Sequence, residues 1–140
     1  MVFDTMVFAY ALLKTVPFFE SAALALESAR EVWIPDSLQA EFVNVLWQWV
    51  RAKTISPETA HDALRDIHEL LTYPVSVDDL WDDALDLAIA RVHPAYDTLF
   101  IALAAKTGQK VVTFDGGMLL KFPEWTISVS DFIASSRHSH

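Results

Sequence analysis

The chain has 140 residues, no cysteine and a formal charge of −9 at pH 7. The missing cysteines exclude disulfides, thiolate metal sites and cysteine nucleophiles, and the acidic charge argues against tight, nonspecific binding to nucleic acid. The apolar N-terminal segment is interrupted by Asp4 and Lys14, and about 18 uncharged apolar residues never follow one another. We therefore expect a cytoplasmic protein with no signal peptide and no membrane span.

Short β-rich segments alternate along the chain with longer helical ones. This pattern predicts an α/β fold with a parallel sheet covered by helices. Strands are predicted at residues 2–4, 32–34, 75–77, 110–114 and 126–129. The length fits one domain, which we place at residues 1–134, followed by a flexible polar tail at residues 135–140.

Capping residues predict where several helices begin and end. Asp36 or Ser37 can cap a helix that runs through Arg51, and Ser56 before Pro57 starts another that reaches about Leu71. A later helix is predicted from Asp97 through Lys106, with Gly108 as its stop.

An acidic segment early in the second half of the chain lacks the central glycine and closing glutamate of a calcium loop. We interpret it as a helix start, where acids interact favourably with the helix dipole. A surface patch for a basic partner is the alternative. The acids are Asp78, Asp79, Asp82, Asp83 and Asp86, and the expected buried side is Leu80, Trp81, Ala84, Leu85 and Ala88.

Four other acids occupy positions that suggest a shared site. Asp4 closes the first strand, Asp115 follows the fourth, Asp97 starts a helix, and Glu41 lies in the first turns of another. Because the carboxyl ends of parallel strands border the ligand crevice of an open sheet, these carboxylates are expected on one rim. Four carboxylates on one rim suggest a bound cation, although each acid alone could be a helix cap or a surface residue.

Three segments resemble the PIN-domain family, and particularly its toxin-type members called VapC. The segments are VFDTMVFAYALL, PDSLQAEFVNVLWQWV and YDTLFIALAAKTGQKVVTFD, in the order and spacing of that family. The resemblance implies a three-layer α/β/α fold with about five parallel strands in the order 3-2-1-4-5. It also implies a Mg²⁺-dependent endoribonuclease, with Mn²⁺ as a possible substitute.

The family's acidic positions fall on the same four residues, Asp4, Glu41, Asp97 and Asp115. Asp4, Asp97 and Asp115 are expected to bind the metal, while Glu41 orients or deprotonates the attacking water or holds a second ion. The expected products carry a 5′-phosphate and a 3′-hydroxyl. Supporting roles are expected for three further residues, Thr5, Asn44 and Thr113.

Two departures from the family pattern leave other functions open. Met6 stands where Ser or Asn is common, and Gly116 and Gly117 replace charged residues after Asp115. A catalytically weak or silent PIN domain that binds protein or RNA is therefore the main alternative. A receiver-type phosphotransfer domain is a more distant one, because no lysine stands at a convincing strand end.

The same resemblance implies an RNA substrate, a homodimer and a small antitoxin partner. The antitoxin is expected in an apolar groove lined by residues 18–26 and 42–49. Trp47 and Trp49 are about 200° apart around a helix, so only one can face the core. These two tryptophans could stack on bases, as could Phe18, Phe19 and Phe42, but core and interface roles are favoured for all five. No role is assigned to the histidines. Candidate phosphate contacts are Lys14, Arg51, Lys53, Arg91 and Lys121.

Overall fold

The computed structural model describes residues 1–70 and 72–138. Its strands are β1 Val2–Phe3, β2 Trp33–Pro35, β3 Tyr73–Val75, β4 Val111–Thr113 and β5 Thr126–Ser128. Its helices are α1 Thr5–Leu12, α2 Phe19–Ser28, α3 Leu38–Arg51, α4 Pro57–Glu69, α5 Trp81–Arg91, α6 Ala95–Thr107, α7 Gly116–Lys121 and α8 Val129–His138.

The five strands form one all-parallel sheet in the order β3-β2-β1-β4-β5. Val2 of the central strand β1 pairs with Trp33 on one side and with Val111 on the other. This confirms the predicted α/β class, the helix-flanked sheet and the strand order. The winding direction reverses between β1 and β4, so the carboxyl ends of these two strands border the switch point.

All five predicted strands are present, but the third is displaced. It was predicted at residues 75–77 and lies at Tyr73–Val75. The Ser76 hydroxyl accepts a hydrogen bond from the Asp78 N–H and starts a 3-10 turn, which ends the extended backbone. Because β3 is an edge strand, Pro74 is tolerated within it.

Helix α6 forms the centre of the core. Its residues 98–104 are all buried, and it packs against β1, β2, β4 and α5. The buried Thr98 hydroxyl donates to the Ala84 carbonyl at 2.7 Å, which links α6 to α5. Gly108 ends the helix with φ 68°, the left-handed conformation that the sequence predicts at its stop.

The acidic segment does start helices. Residues 77–79 form the 3-10 turn, and Asp82 and Asp83 lie in the first turn of α5. Leu80 and Ala84 are buried as expected, but Trp81 and Leu85 are 58% and 54% exposed. The prediction for these two side chains is wrong, because they lie on the face of α5 that no described segment covers.

The other helix predictions are confirmed with small changes. Ser56 caps α4, but neither Asp36 nor Ser37 caps α3: the Asp36 carboxylate instead accepts from the Val77 N–H at 3.0 Å. Helix α4 ends at Glu69, and the predicted end at Leu71 lies outside the described residues.

The chain closes with α8, which includes residues 135–138 that the sequence analysis placed in a tail. Residues 139–140 lie outside the described part. No single described helix is long and apolar enough to cross a membrane. Helices α5 and α6 have the required length and apolar composition only when taken together, and they are bent by 116° relative to each other.

Replacing Ser56 with Ala should lower the free energy of unfolding by about 1 kcal/mol. Its hydroxyl accepts from the Thr59 N–H at 3.1 Å and satisfies the first turn of α4. Ser37→Ala is the matched control, because the Ser37 hydroxyl is buried without a hydrogen-bond partner among the described residues. Removing it should leave stability unchanged or raise it. Equal losses in urea denaturation of both variants would contradict this.

Candidate metal site

Four carboxylates meet at the carboxyl edge of the sheet. Asp4 follows β1, Asp115 follows β4, and Glu41 and Asp97 lie in the first turns of α3 and α6. All four line one cavity of about 320 Å³. The structure therefore brings together every acid that the sequence analysis selected. The other lining residues are Thr5, Met6, Tyr10, Val45 and Phe114.

Two of the three predicted supporting residues contact these acids. The Thr5 hydroxyl donates to Glu41 Oε2 at 2.7 Å, and the Thr113 hydroxyl donates to Asp4 Oδ2 at 2.8 Å. The Thr113 hydroxyl also accepts from the Asp115 N–H at 2.9 Å, so it joins the ends of β1 and β4. Asn44 is exposed and does not line the cavity, unlike the adjacent Val45.

His93 contacts the site although the sequence analysis assigned it no role. Its Nε2 lies 2.8 Å from Asp97 Oδ2, and its side chain is only 8% exposed. The ring packs edge-on against Phe122, with 5.5 Å between ring centroids. His93 therefore fixes the orientation of the Asp97 carboxylate. The four-residue spacing between His93 and Asp97 is the sequence signal that could have indicated this contact. Pro94 lies between the two residues and predicts a turn, so the spacing does not stand out as a helical pair.

Gly117, one of the two glycines that depart from the family pattern, has a local structural role. Asp115 caps α7, with its Oδ1 accepting from the N–H groups of Gly117 and Met118 at 2.8 and 3.2 Å. A Cβ at Gly117 would lie 3.1 Å from that same oxygen, so a larger residue would crowd the carboxylate. The glycine thus permits the close turn that positions Asp115. Met6, the other departure, is half-buried and lines the cavity.

Burial makes the negative charges of the cavity costly. Burial, together with the charges of Asp97 and Asp115, raises the pKa of Asp4 to about 6 despite the Thr113 hydrogen bond. Burial and the neighbouring acids raise the pKa of Glu41 to about 7. Burial also raises the pKa of Asp97, although His93 opposes the change. A bound cation would stabilise the charged forms of these carboxylates.

The donor set fits a hard divalent cation. Glu41 Oε1 is buried without a hydrogen-bond partner among the described residues, so it is free to contact an ion or an ion-bound water. No group of three or more described His, Asp or Glu side chains is arranged to enclose an ion by itself. Magnesium does not require such a cage, because it retains several waters and needs only one or two direct carboxylates.

A carboxylate cavity at the switch point of this parallel sheet matches the site expected from the sequence resemblance. The family model for the PIN domain matches residues 1–121, so the chain belongs to the PIN-domain family. Its similarity extends to the VapC-type members. Over 106 residues it is 30% identical to Ribonuclease VapC3 of Pyrobaculum aerophilum, covering 74% of this chain and 81% of that protein.

Solved structures show the same fold. A crystal structure of PAE2754 from Pyrobaculum aerophilum superposes with a TM-score of 0.76 at 18% identity, covering 98% of this chain and 88% of that one. A toxin-antitoxin complex from Klebsiella pneumoniae gives a TM-score of 0.63 at 15% identity, with coverages of 91% and 96%.

Without metal, the protein should melt about 5 °C higher at pH 5.5 than at pH 8. The pKa values of Asp4 and Glu41, about 6 and 7, lie above those of carboxyl groups in an unfolded chain. Between about pH 4 and 7, the folded protein therefore retains protons that the unfolded chain has released. The free energy of unfolding contributed by these groups falls as pH rises through that window.

Thermal melts of two Asp→Asn variants in EDTA test whether the cavity carboxyl groups cause this pH dependence. Asp4→Asn should reduce the difference between the two pH values, because it removes a buried carboxyl group. Asp66→Asn removes an exposed acid from α4, outside the cavity, and should preserve the difference. Identical pH responses of the two variants would show that the cavity is not responsible.

Proposed function

We propose that this protein is a Mg²⁺-dependent endoribonuclease of the VapC type. The supporting observation is the convergence of Asp4, Glu41, Asp97 and Asp115 on one cavity, with raised pKa values for the first three. The 30% identical relative carries the name of a ribonuclease. Mn²⁺ could replace Mg²⁺, because both bind carboxylate and water oxygens. A cytoplasmic location would give access to RNA.

The carboxylates have two roles in this proposal. Asp4, Asp97 and Asp115 would hold the ion, with Asp4 oriented by Thr113 and Asp97 by His93. When bound, a dication lowers the pKa of a coordinated water and neutralises charge on the phosphodiester. Glu41, held by Thr5 through Oε2, presents its free Oε1 to orient or deprotonate the attacking water.

In-line attack of that water releases a 3′-hydroxyl and leaves a 5′-phosphate, the products that the family resemblance implies. No covalent intermediate with the protein is required, since water is the nucleophile. Glu41 can alternatively hold a second ion that stabilises the leaving oxygen. Titration of Mg²⁺ by calorimetry gives the number of ions.

The two other functions receive less support. The sheet order differs from the order 2-1-3-4-5 of receiver domains, and no lysine is among the residues that line the cavity. A silent binding module remains the main alternative because of Met6, but neither Met6 nor the paired glycines remove a carboxylate from the cavity.

Asp97→Asn should reduce Mg²⁺-stimulated cleavage of a transfer-RNA pool by about 100-fold or more, because it weakens the charge that holds the ion. It should also weaken Mg²⁺ binding in calorimetry while the far-UV circular dichroism stays unchanged. Asp66→Asn makes the same charge change outside the cavity and should cleave like the wild type. Undiminished cleavage by Asp97→Asn would refute the site, and wild-type binding without cleavage would favour the binding module.

We propose that the protein partner is a small antitoxin. A toxin-antitoxin complex among the structural neighbours supports this proposal. The expected groove between residues 18–26 and 42–49 stays a prediction, and Phe18 and Trp49 of these two segments both pack against Tyr10. A second apolar groove of about 590 Å³ lies between α3 and α4, where Phe42, Val43, Leu64 and Ile67 are among its lining residues. An apolar helix of a partner fits such a groove. A short neighbouring gene that encodes a DNA-binding protein would support this pairing.

We also propose a homodimer that uses the apolar stripe on α5 and the start of α6. Trp81, Leu85 and Ile89 are spaced four residues apart on one face and are all more than half exposed. Tyr96, which is 71% exposed, lines the same shallow pocket as Trp81 and Leu85. A stripe of this kind on a folded domain indicates an interaction surface.

Leu85→Lys should convert the dimer to a monomer in sedimentation velocity, since it places a charge in the proposed interface. Val43→Lys is the matched control, because Val43 is 48% exposed on α3 and lines a different groove, between α3 and α4. This control should remain dimeric. A monomeric wild type, or a dimer that tolerates Leu85→Lys, would contradict the proposed interface.

A further inference from the structure

An aromatic cluster borders the carboxylate cavity. Tyr10 of α1 and Phe114 after β4 line the cavity itself, while Phe18 and Trp49 pack against Tyr10. The Tyr10 and Phe18 rings are stacked with 4.6 Å between centroids, and Phe114 lies 5.4 Å from Tyr10 and 5.3 Å from Phe18. Four separate segments of the chain therefore supply one continuous aromatic surface.

This cluster differs from the aromatic packing of the core. Phe3 also contacts the rings of Phe8 and Phe132, but these three rings are at most 7% exposed. Phe18 is 38% exposed, and Tyr10 and Phe114 are only partly buried beside a cavity. The cluster thus presents aromatic surface to a ligand of the cavity, which the core rings cannot do.

The cavity also lacks the usual means of attracting RNA. Its lining contains four acids and no lysine or arginine, in a chain of net charge −9. Two predicted phosphate contacts have other partners: Arg91 pairs with Glu124, and the Lys121 ammonium donates to the Val92 carbonyl. Within the described lining of the cavity, contacts other than those of a bound ion must therefore be uncharged, although Lys14, Arg51 and Lys53 stay candidates for phosphate contacts outside it.

Stacking on aromatic rings is such a contact, and every nucleobase can make it. Phe114 directly precedes Asp115, and Tyr10 lies on the helix that Asp4 precedes. A nucleotide whose phosphate reaches the carboxylates therefore has its base beside these rings. We propose that the cluster of Tyr10, Phe18, Trp49 and Phe114 binds the base of the nucleotide next to the cleaved bond.

This inference rests on the proposed nuclease function. It adds a contact with the base to the contacts that the carboxylates and a bound ion would make with the phosphate.

Binding of short single-stranded RNA tests the proposal in the Asp97→Asn background with Mg²⁺, where cleavage is suppressed. The oligonucleotides carry 2-aminopurine or an abasic nucleotide at successive positions. At one position, 2-aminopurine fluorescence should be quenched on binding, and loss of the base should weaken affinity by about 5- to 100-fold, as expected for one stacked base.

Two substitutions then locate the stacking surface. Phe18→Leu and Phe114→Leu should each weaken binding of the base-containing RNA towards the abasic value, whereas Phe18→Tyr, which keeps a ring, should retain tight binding. Tyr73→Leu is the matched control, because it removes a ring stacked on Trp33 at the opposite, amino end of the sheet. It should bind like the parent protein. Melting temperatures verify that each variant is folded.

The outcomes separate this proposal from the nuclease proposal. If the abasic RNA binds as tightly as the normal one, or if both leucine variants bind unchanged, the base site is refuted and the rings belong to a protein contact. Base-dependent quenching without any cleavage by the wild type refutes the nuclease and retains the base site. Cleavage without base dependence refutes the base site and retains the nuclease.

Discussion

Burial of closely spaced carboxylates is the constraint on which the site depends: Asp4 is buried, Glu41 and Asp97 are half-buried, and Asp115 is an exposed neighbour. Asp4 is only 7% exposed, and burial raises its pKa to about 6 and that of Glu41 to about 7. Hydrogen bonds from Thr113, Thr5 and His93 orient the acids but do not cancel this cost. A divalent cation would offset much of the cost of burying these charges. The same buried charges that destabilise the metal-free protein would therefore favour metal binding.

The fold holds these acids together by using its most buried elements. Asp97 starts α6, whose residues 98–104 form the centre of the core, and Thr113 joins β4 to Asp4 across 109 residues of sequence. The acids therefore cannot separate without disrupting the sheet or the core. This rigidity is what a metal site requires when its ligands repel one another.

The acidic cavity and the aromatic cluster beside it suggest how a chain of charge −9 could act on RNA. Ion-mediated contact would hold the phosphate, and ring stacking would hold the base, with little contribution from lysine or arginine. Such an arrangement favours selective binding of a substrate over nonspecific binding of nucleic acid. It also gives a function to Tyr10 and Phe114, whose rings are less buried than those of the core.

The sequence by itself determined the α/β class, the approximate strands, the caps at Ser56 and Gly108, and, through its family motifs, the strand order and the four acids. These features depend on neighbouring residues or on a pattern that is readable along the chain. Only the tertiary structure decided that Trp81 and Leu85 are exposed, that Asn44 lies outside the cavity, and that His93, Tyr10 and Phe114 border it. The reason is that the covering of a helix face and the meeting of rings depend on segments far apart in sequence, whose mutual packing leaves no local signal.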